Sequence, residues 1–196
     1  MTVILDNGHG FDTYGKASPI WSDGSQLFEY EFNRNIVKLI HSGLQRQNIN
    51  SVILVPEALD ISLKVRCDRA NRIYSQDRNS FLVSVHGNAG EHPNEGTGWE
   101  IWTSPGQTKS DIIANYIFKS AEKTLTGWNM RKDISDGDVD KESKFYILVN
   151  TSCPAVLSEN LFFDNEKDCR FMLSNSGREL IAKLHINGII NYLKEN

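Results

Sequence analysis

Cysteine is scarce and unpaired in this sequence. Cys67, Cys153 and Cys169 are an odd number, and no two stand in CxxC spacing. That excludes a disulfide framework and a cysteine-type zinc finger. Basic residues do not dominate either: 21 Lys and Arg stand against 25 Asp and Glu, a formal net charge of −4. No basic stripe interleaved with aromatics is present, which argues against nucleic-acid binding and against a general attraction to anionic membranes. No stretch approaches 18 consecutive apolar residues, so no membrane insertion is expected. Residues 1–20 lack a basic start followed by a long apolar run. No secretory signal is therefore visible, and the chain is expected to be made in the cytoplasm. Repeats, low-complexity tracts and linkers are missing as well, which leaves residues 1–196 as one domain large enough to bury a sizeable core.

What is present is an alternation of short apolar runs and helical periods. Thr2-Val3-Ile4-Leu5 reads as a buried strand that stops at the turn Asn7-Gly8, followed by His9 and Gly10. The two glycines are expected to let the backbone bend sharply and leave the imidazole uncrowded. Phe11–Gln26 reads as a long loop. Glu29–Gln47 has helical spacing through Phe32, Ile36, Val37, Ile40 and Leu44. Further strands are expected at Ser51–Val55, Ser80–Val85, Trp99–Thr103 and Ala155–Leu157, and helices at Leu63–Tyr74, from Thr108 and from Ser176. The last two carry capping-box spacing, Thr108 to Asp111 and Ser176 to Glu179. Gly127–Ser143 carries Asp133, Asp136, Asp138 and Asp140, but its glycine and glutamate positions do not fit an EF-hand, so it reads as a solvated loop. His41, His92 and His185 read as exposed bystanders.

Strands alternating with helices predict an α/β domain: a twisted, mostly parallel β-sheet flanked by helices on both faces. Ligands gather outside the carboxyl ends of such strands. Three of the runs reach an ionisable residue there, namely His9, His86 and Glu159. Two imidazoles and a carboxylate are the ligand set of a catalytic zinc site, with a fourth position left for water. Glu29, Glu31, Glu100 and Glu159 can each supply the carboxylate on this reading, and residue types alone do not choose. Glu29 opens a helix just after the His9 loop, so it can reach the same rim.

Five ordered blocks resemble the zinc-dependent N-acetylmuramoyl-L-alanine amidases (amidase type 3), which cut peptidoglycan. They are Asp6-Asn7-Gly8-His9-Gly10; Glu29 with Asn33; Leu63, Arg66, Ala70 and Asn71; Ser84-Val85-His86-Gly87-Asn88 followed by Gly98-Trp99-Glu100; and Pro154 to Glu159 with Phe162 and Asn165. The resemblance runs over most of the chain. Departures are Gly87, where alanine is usual, and Asn160-Leu161, where a glycine-containing pair is common.

The resemblance implies a phosphorylase/hydrolase-like fold. It implies one Zn2+ held by His9, Glu29 and His86, and Glu159 as the catalytic acid–base. The implied reaction is hydrolysis of the amide between N-acetylmuramic acid and L-alanine of the stem peptide. Arg66 is a candidate for a substrate carboxylate, although an arginine on a helix more often braces structure; Asn88 and Glu100 are candidates for orienting the ligands from behind, and Glu100 equally for a structural hydrogen bond. Peptidoglycan is the expected partner of a monomer without a separate cell-wall-binding domain, acting at the cell wall after secretion or phage lysis. Competing readings are another cell-wall amide as substrate, a non-catalytic wall-binding module, and a thiol amidase built on Cys153.

Overall fold

The computed structural model describes residues 1–195. Its elements in chain order are β1 (Val3–Asn7), α1 (Glu29–Arg46), β2 (Ser51–Ile53), α2 (Leu63–Gln76), β3 (Phe81–Asn88) and β4 (Trp99–Thr103). There follow α3 (Lys109–Thr124), β5 (Lys141–Glu142), α4 (Tyr146–Val149), β6 (Ala155–Phe162), α5 (Glu166–Leu173) and α6 (Asn175–Glu195). The strands form one six-stranded sheet in the order β2-β1-β3-β6-β4-β5. Strands β2, β1, β3 and β6 are mutually parallel, whereas β4 runs antiparallel to β6 and pairs with β5 in parallel. The mostly parallel α/β sheet with helices on both faces is the expected fold class.

Side-chain alternation explains the two layers. Val3 and Leu5 point from β1 into one core with Phe32, Ile36 and Ile40 of α1, Ile113 and Ile117 of α3, and Ile181, Leu184 and Ile189 of α6. Ile4, one residue out of phase, joins Leu82 and Leu157 in a second core with Cys67 and Ala70 of α2 and Ile147 of α4. A strand buried on both faces has no polar alternation to show, which is why β1 reads as a continuous apolar run. Among the described residues, no helix is long and apolar enough to cross a membrane.

Several boundaries differ from the sequence expectation. β3 continues to Asn88 and β6 to Phe162, so His86 and Glu159 lie within strands rather than beyond them. The capping box at Thr108 is present, with Asp111 returning a bond to the Thr108 amide. The one expected at Ser176 is not: Ser174 Oγ accepts from Gly177 N (3.0 Å), and the helix already begins at Asn175.

His185 is not an exposed bystander but wholly buried on α6. Its Nδ1 donates to the Ile181 carbonyl (2.7 Å), which leaves Nε2 to accept from Ser158 Oγ (2.8 Å). Ser158 Oγ in turn accepts from Asn160 Nδ2 (3.1 Å), whose side chain also donates to the His86 carbonyl (2.9 Å). A chain of satisfied polar groups therefore runs from α6 through β6 to the backbone of His86. Burial pushes the His185 pKa down to about 4, against a partial opposing effect of the Ile181 carbonyl.

Because the unfolded chain takes up that proton near pH 6.5 and the folded one only near 4, stability is complete above about 6.5 and falls between the two. The expected loss is about 3 kcal/mol. Urea unfolding of metal-free protein at pH 7 and pH 4 should contain this loss, and His185→Asn should shrink the difference between the two by about that amount. An equal pH dependence in the variant would refute the assignment.

Candidate metal centre and active site

Parallel strands place their carboxyl ends on one rim, and the turn after β1 carries His9 to it. The bend is made by His9 itself, at φ 64°, and not by the glycines beside it. A non-glycine residue there stores backbone strain, which the surroundings must hold. Arg34 Nη1 donates to the His9 carbonyl (2.7 Å), and Arg66 Nη2 reaches the same oxygen at 3.4 Å. The glycines serve close approach. A Cβ on Gly8 would stand 2.1 Å from His86 Cε1, and one on Gly10 would stand 1.9 Å from the Asp60 amide nitrogen.

Glu29 enters from the first turn of α1 and is 1% exposed, whereas His9 and His86 keep 20% and 17% of their side chains open. His86 Nδ1 and His9 Nε2 both face Glu29 Oε1, at 3.2 and 3.3 Å. Asn33 Nδ2 and the Gly87 amide approach the same oxygen at 3.3 Å each. Asn33 also donates to the Gly8 carbonyl (3.1 Å), tying α1 to the His9 turn. Burial alone raises a carboxyl pKa, but the hydrogen bonds from His86 and then His9 outweigh it and hold Glu29 well below the usual carboxylate range.

Sheet register supplies the next group. His86 on β3 pairs with Glu159 on β6, and Glu159 pairs with Glu100 on β4. Cross-strand partners point to the same face, so His86, Glu159 and Glu100 form a row. Glu100 joins the row although its strand runs the opposite way, because it stands second on β4. Its two oxygens are fully committed: Oε1 to Asn88 Nδ2 (2.9 Å) and Trp102 Nε1 (3.1 Å), Oε2 to Arg131 Nε and Lys141 Nζ (2.7 Å each). Burial opposes its ionisation, yet Lys141 and Arg131 keep its pKa lowered. Among the described residues no cation pairs directly with Glu159, and Lys16 lowers its pKa only weakly from a distance. Burial pushes its carboxyl up to about 8, with His86 opposing and Glu29 and Glu100 adding to the rise.

One observation tests whether these residues suit a metal ion. A ligand atom from each of His9, Glu29 and His86 lies within 4.8 Å of the other two. The second oxygens, Glu29 Oε2 and Glu159 Oε2, are buried without any hydrogen-bond partner. Lys16 Nζ stands 3.9 Å from Glu29 Oε2, an ion pair too long for a hydrogen bond. Two carboxylate oxygens without hydrogen bonds, beside two imidazoles, are a donor set that a cation suits, and the residues fit it. A cleft of about 290 Å³ opens over His9 and His86, walled by Asp60, Ile61, Leu63 and Ile147.

The substrate role considered for Arg66 does not match its surroundings. The side chain is 2% exposed, and all five N–H donors are used within the chain. Nη1 binds Asp6 Oδ1 (2.7 Å) and the Asn7 carbonyl (2.8 Å), Nη2 binds Asp60 Oδ1 (2.8 Å) and the His9 carbonyl, and Nε binds the Ile61 carbonyl (2.7 Å). Arg66 braces the turn that presents His9 and has no donor left for a substrate carboxylate. Asn71 likewise clips α2 to residues 150–152 through Asn150 O (3.1 Å) and Ser152 N (2.6 Å). Sequence reasoning missed Arg34, Arg131 and Lys141, since an isolated basic residue carries no sign of the partner it will meet. Cys153 is buried, and burial pushes its thiol up to about 11, the reverse of what a nucleophile needs.

Comparison with known proteins bears on this geometry. The N-acetylmuramoyl-L-alanine amidase family profile matches residues 3–191. The N-acetylmuramoyl-L-alanine amidase CwlM of Bacillus licheniformis is 27% identical over 196 residues, covering 96% of this chain and 67% of the relative. The endolysin of Bacillus phage SPP1 is 31% identical over 199 residues, covering 97% of this chain and 65% of the relative. Among solved structures, an N-acetylmuramoyl-L-alanine amidase from Clostridium difficile 630 superposes with a TM-score of 0.83 at 26% identity, over 100% of this chain and 97% of that one.

Proposed function

The chain belongs to the N-acetylmuramoyl-L-alanine amidase family and is an amidase of peptidoglycan, and from that premise we propose a zinc-dependent reaction at the site just described. In it, His9, Glu29 and His86 hold one zinc ion, and Glu159 is the catalytic acid–base. The scissile bond is the amide between N-acetylmuramic acid and the L-alanine of the stem peptide. The observation that carries this reading is the convergence of the three donor groups within 4.8 Å, with Glu159 in register beside His86.

An amide is a poor electrophile and water a weak nucleophile at neutral pH. When bound, zinc supplies Lewis acidity, polarising the amide carbonyl and bringing the pKa of a water down to about 7. The remaining work falls to the chain. With a cation held beside it to offset Glu29 and Glu100, Glu159 stays ionised and accepts the proton lost as the water oxygen bonds to the carbonyl carbon. It then delivers that proton to the amine nitrogen as the C–N bond breaks, so the products are a carboxylic acid and a free amine. Glu29 brings the third donor and the negative charge that offsets part of the ion's. Glu100, neutralised by Arg131 and Lys141, occupies the position beside Glu159 without competing for that proton.

The site is complete within one chain, so the reading needs no partner subunit, and the cell wall, where the substrate lies, is the proposed place of action. Digestion of defined muropeptides tests the reading. Free stem peptides beginning with L-alanine should appear, disappear with a chelator and return with added zinc. Activity that survives chelation but not a thiol-alkylating agent would overturn the zinc chemistry, and cuts elsewhere in the stem would overturn the substrate.

A further inference from the structure

A second group of carboxylates lies at the far end of β4, away from the histidines. Asp140 precedes β5, Asp138 stands two residues before it, and Asp111 sits in the first turn of α3. One oxygen from each lies within 4.8 Å of the others. Asp140 is 1% exposed, so the segment before β5 is not simply the solvated loop that its composition suggests. Its Oδ2 accepts from Thr103 Oγ1 (2.6 Å), Asp138 Oδ2 accepts from Gln107 Nε2 (3.1 Å), and Asp111 accepts from the Thr108 amide and, at 3.5 Å, from Thr108 Oγ1. Asp138 Oδ1 and Asp140 Oδ1 remain, buried and without a hydrogen-bond partner.

Three carboxylates this close repel one another, and the low dielectric of the interior magnifies the cost. Among the described residues, no lysine, arginine or histidine pairs with any of the three. Lys141, next in sequence to Asp140, turns instead to Glu100. The N-terminus of α3 contributes about half a positive charge, yet burial and then Asp138 still raise the Asp111 pKa.

We propose that Asp111, Asp138 and Asp140 form a second cation site, for a hard divalent ion such as Ca2+, that fastens the segment before β5 to the start of α3. An all-oxygen donor set of carboxylates suits Ca2+, which accepts irregular geometry and six to eight oxygens. The spacing fails as an EF-hand because the third carboxylate comes from α3, a separate segment. The site has a consequence for the catalytic rim. The segment it fastens carries Arg131 and leads directly into Lys141 of β5, and the ion pairs of these two residues fix Glu100 beside Glu159.

The alternative occupant is a proton. Burial, then Asp138 and Asp111, push Asp140 up to about 7 against the Thr103 hydrogen bond, so the test must separate the two. Ca2+ is titrated at constant pH and ionic strength into full-length protein that has been stripped with chelator and reloaded with stoichiometric zinc. Millimolar Ca2+ should raise Tm by about 5 °C, with saturation, and Tb3+ should compete for the site.

Asp138→Asn and Asp140→Asn should each abolish the rise. His86→Ala, which disables only the zinc site, should keep it. A wild-type Tm that Ca2+ does not move, as expected if a proton suffices, overturns the proposal. So does an equal rise with NaCl, an undiminished rise in both Asn variants, or loss of the rise in His86→Ala.

Discussion

Glu159→Gln is expected to lower the rate of muropeptide hydrolysis by about 10²- to 10⁴-fold while leaving one zinc per chain. The amide has the size of the carboxylate and can fill the same place between His86 and Glu100 in the sheet register. It cannot take a proton from water or return one to the leaving amine. Nor is the fold expected to suffer, because Glu159 Oε2 is buried without a hydrogen-bond partner, and neutralising it relieves a desolvation cost. Elemental analysis, thermal melting and single-turnover hydrolysis together check this. Turnover near that of the parent would place the acid–base elsewhere, and loss of zinc would make Glu159 a ligand instead.

Glu29→Ala should be as damaging by a different route, with zinc falling well below stoichiometric and hydrolysis falling to background. One buried oxygen of Glu29 is the point on which His9, His86, Asn33 and the Gly87 amide converge. Its removal takes away a ligand and leaves two imidazoles 5.1 Å apart, centroid to centroid, with no carboxylate between them. Glu29→Gln keeps the volume and the oxygen but not the charge, so it should retain the fold and bind zinc more weakly than the parent. His9→Ala and His86→Ala should also lose the metal. Stoichiometric zinc in all three alanine variants would sink the ligand assignment.

Much of this architecture is legible in the chain itself. The continuous apolar run of β1 announces a strand buried on both faces, and the spacing Phe32, Ile36, Ile40 and Leu44 announces the inner face of α1. His9, His86 and Glu159 could be placed at one rim because parallel strands share an end. Tyr146–Val149 was less readable: four apolar residues suit either a strand or a helix turn, and only packing against Leu82 and Leu157 makes them α4. His185 was misread as exposed because its burial depends on Ser158, which lies 27 residues earlier. The place of Arg66 beneath the His9 turn depends on Asp6, 60 residues away.

Glu29 and Glu31 show the division at its narrowest. Residue type and helix position admitted both, and the block resemblance favoured Glu29. The structure directs Glu29 inward to Gly87 and the two histidines. Periodicity, turn residues and composition are local properties, so the chain by itself determined the longer strands and helices, though not β5, α4 or α5, together with the parallel α/β class and the kinds of chemistry on hand. Hydrogen-bond partners, carboxylate orphans and the gathering of Asp111 with Asp138 and Asp140 depend on strand register and helix packing. Only the tertiary structure decided those, because it alone sets which distant groups share a low-dielectric space and which must find a cation there.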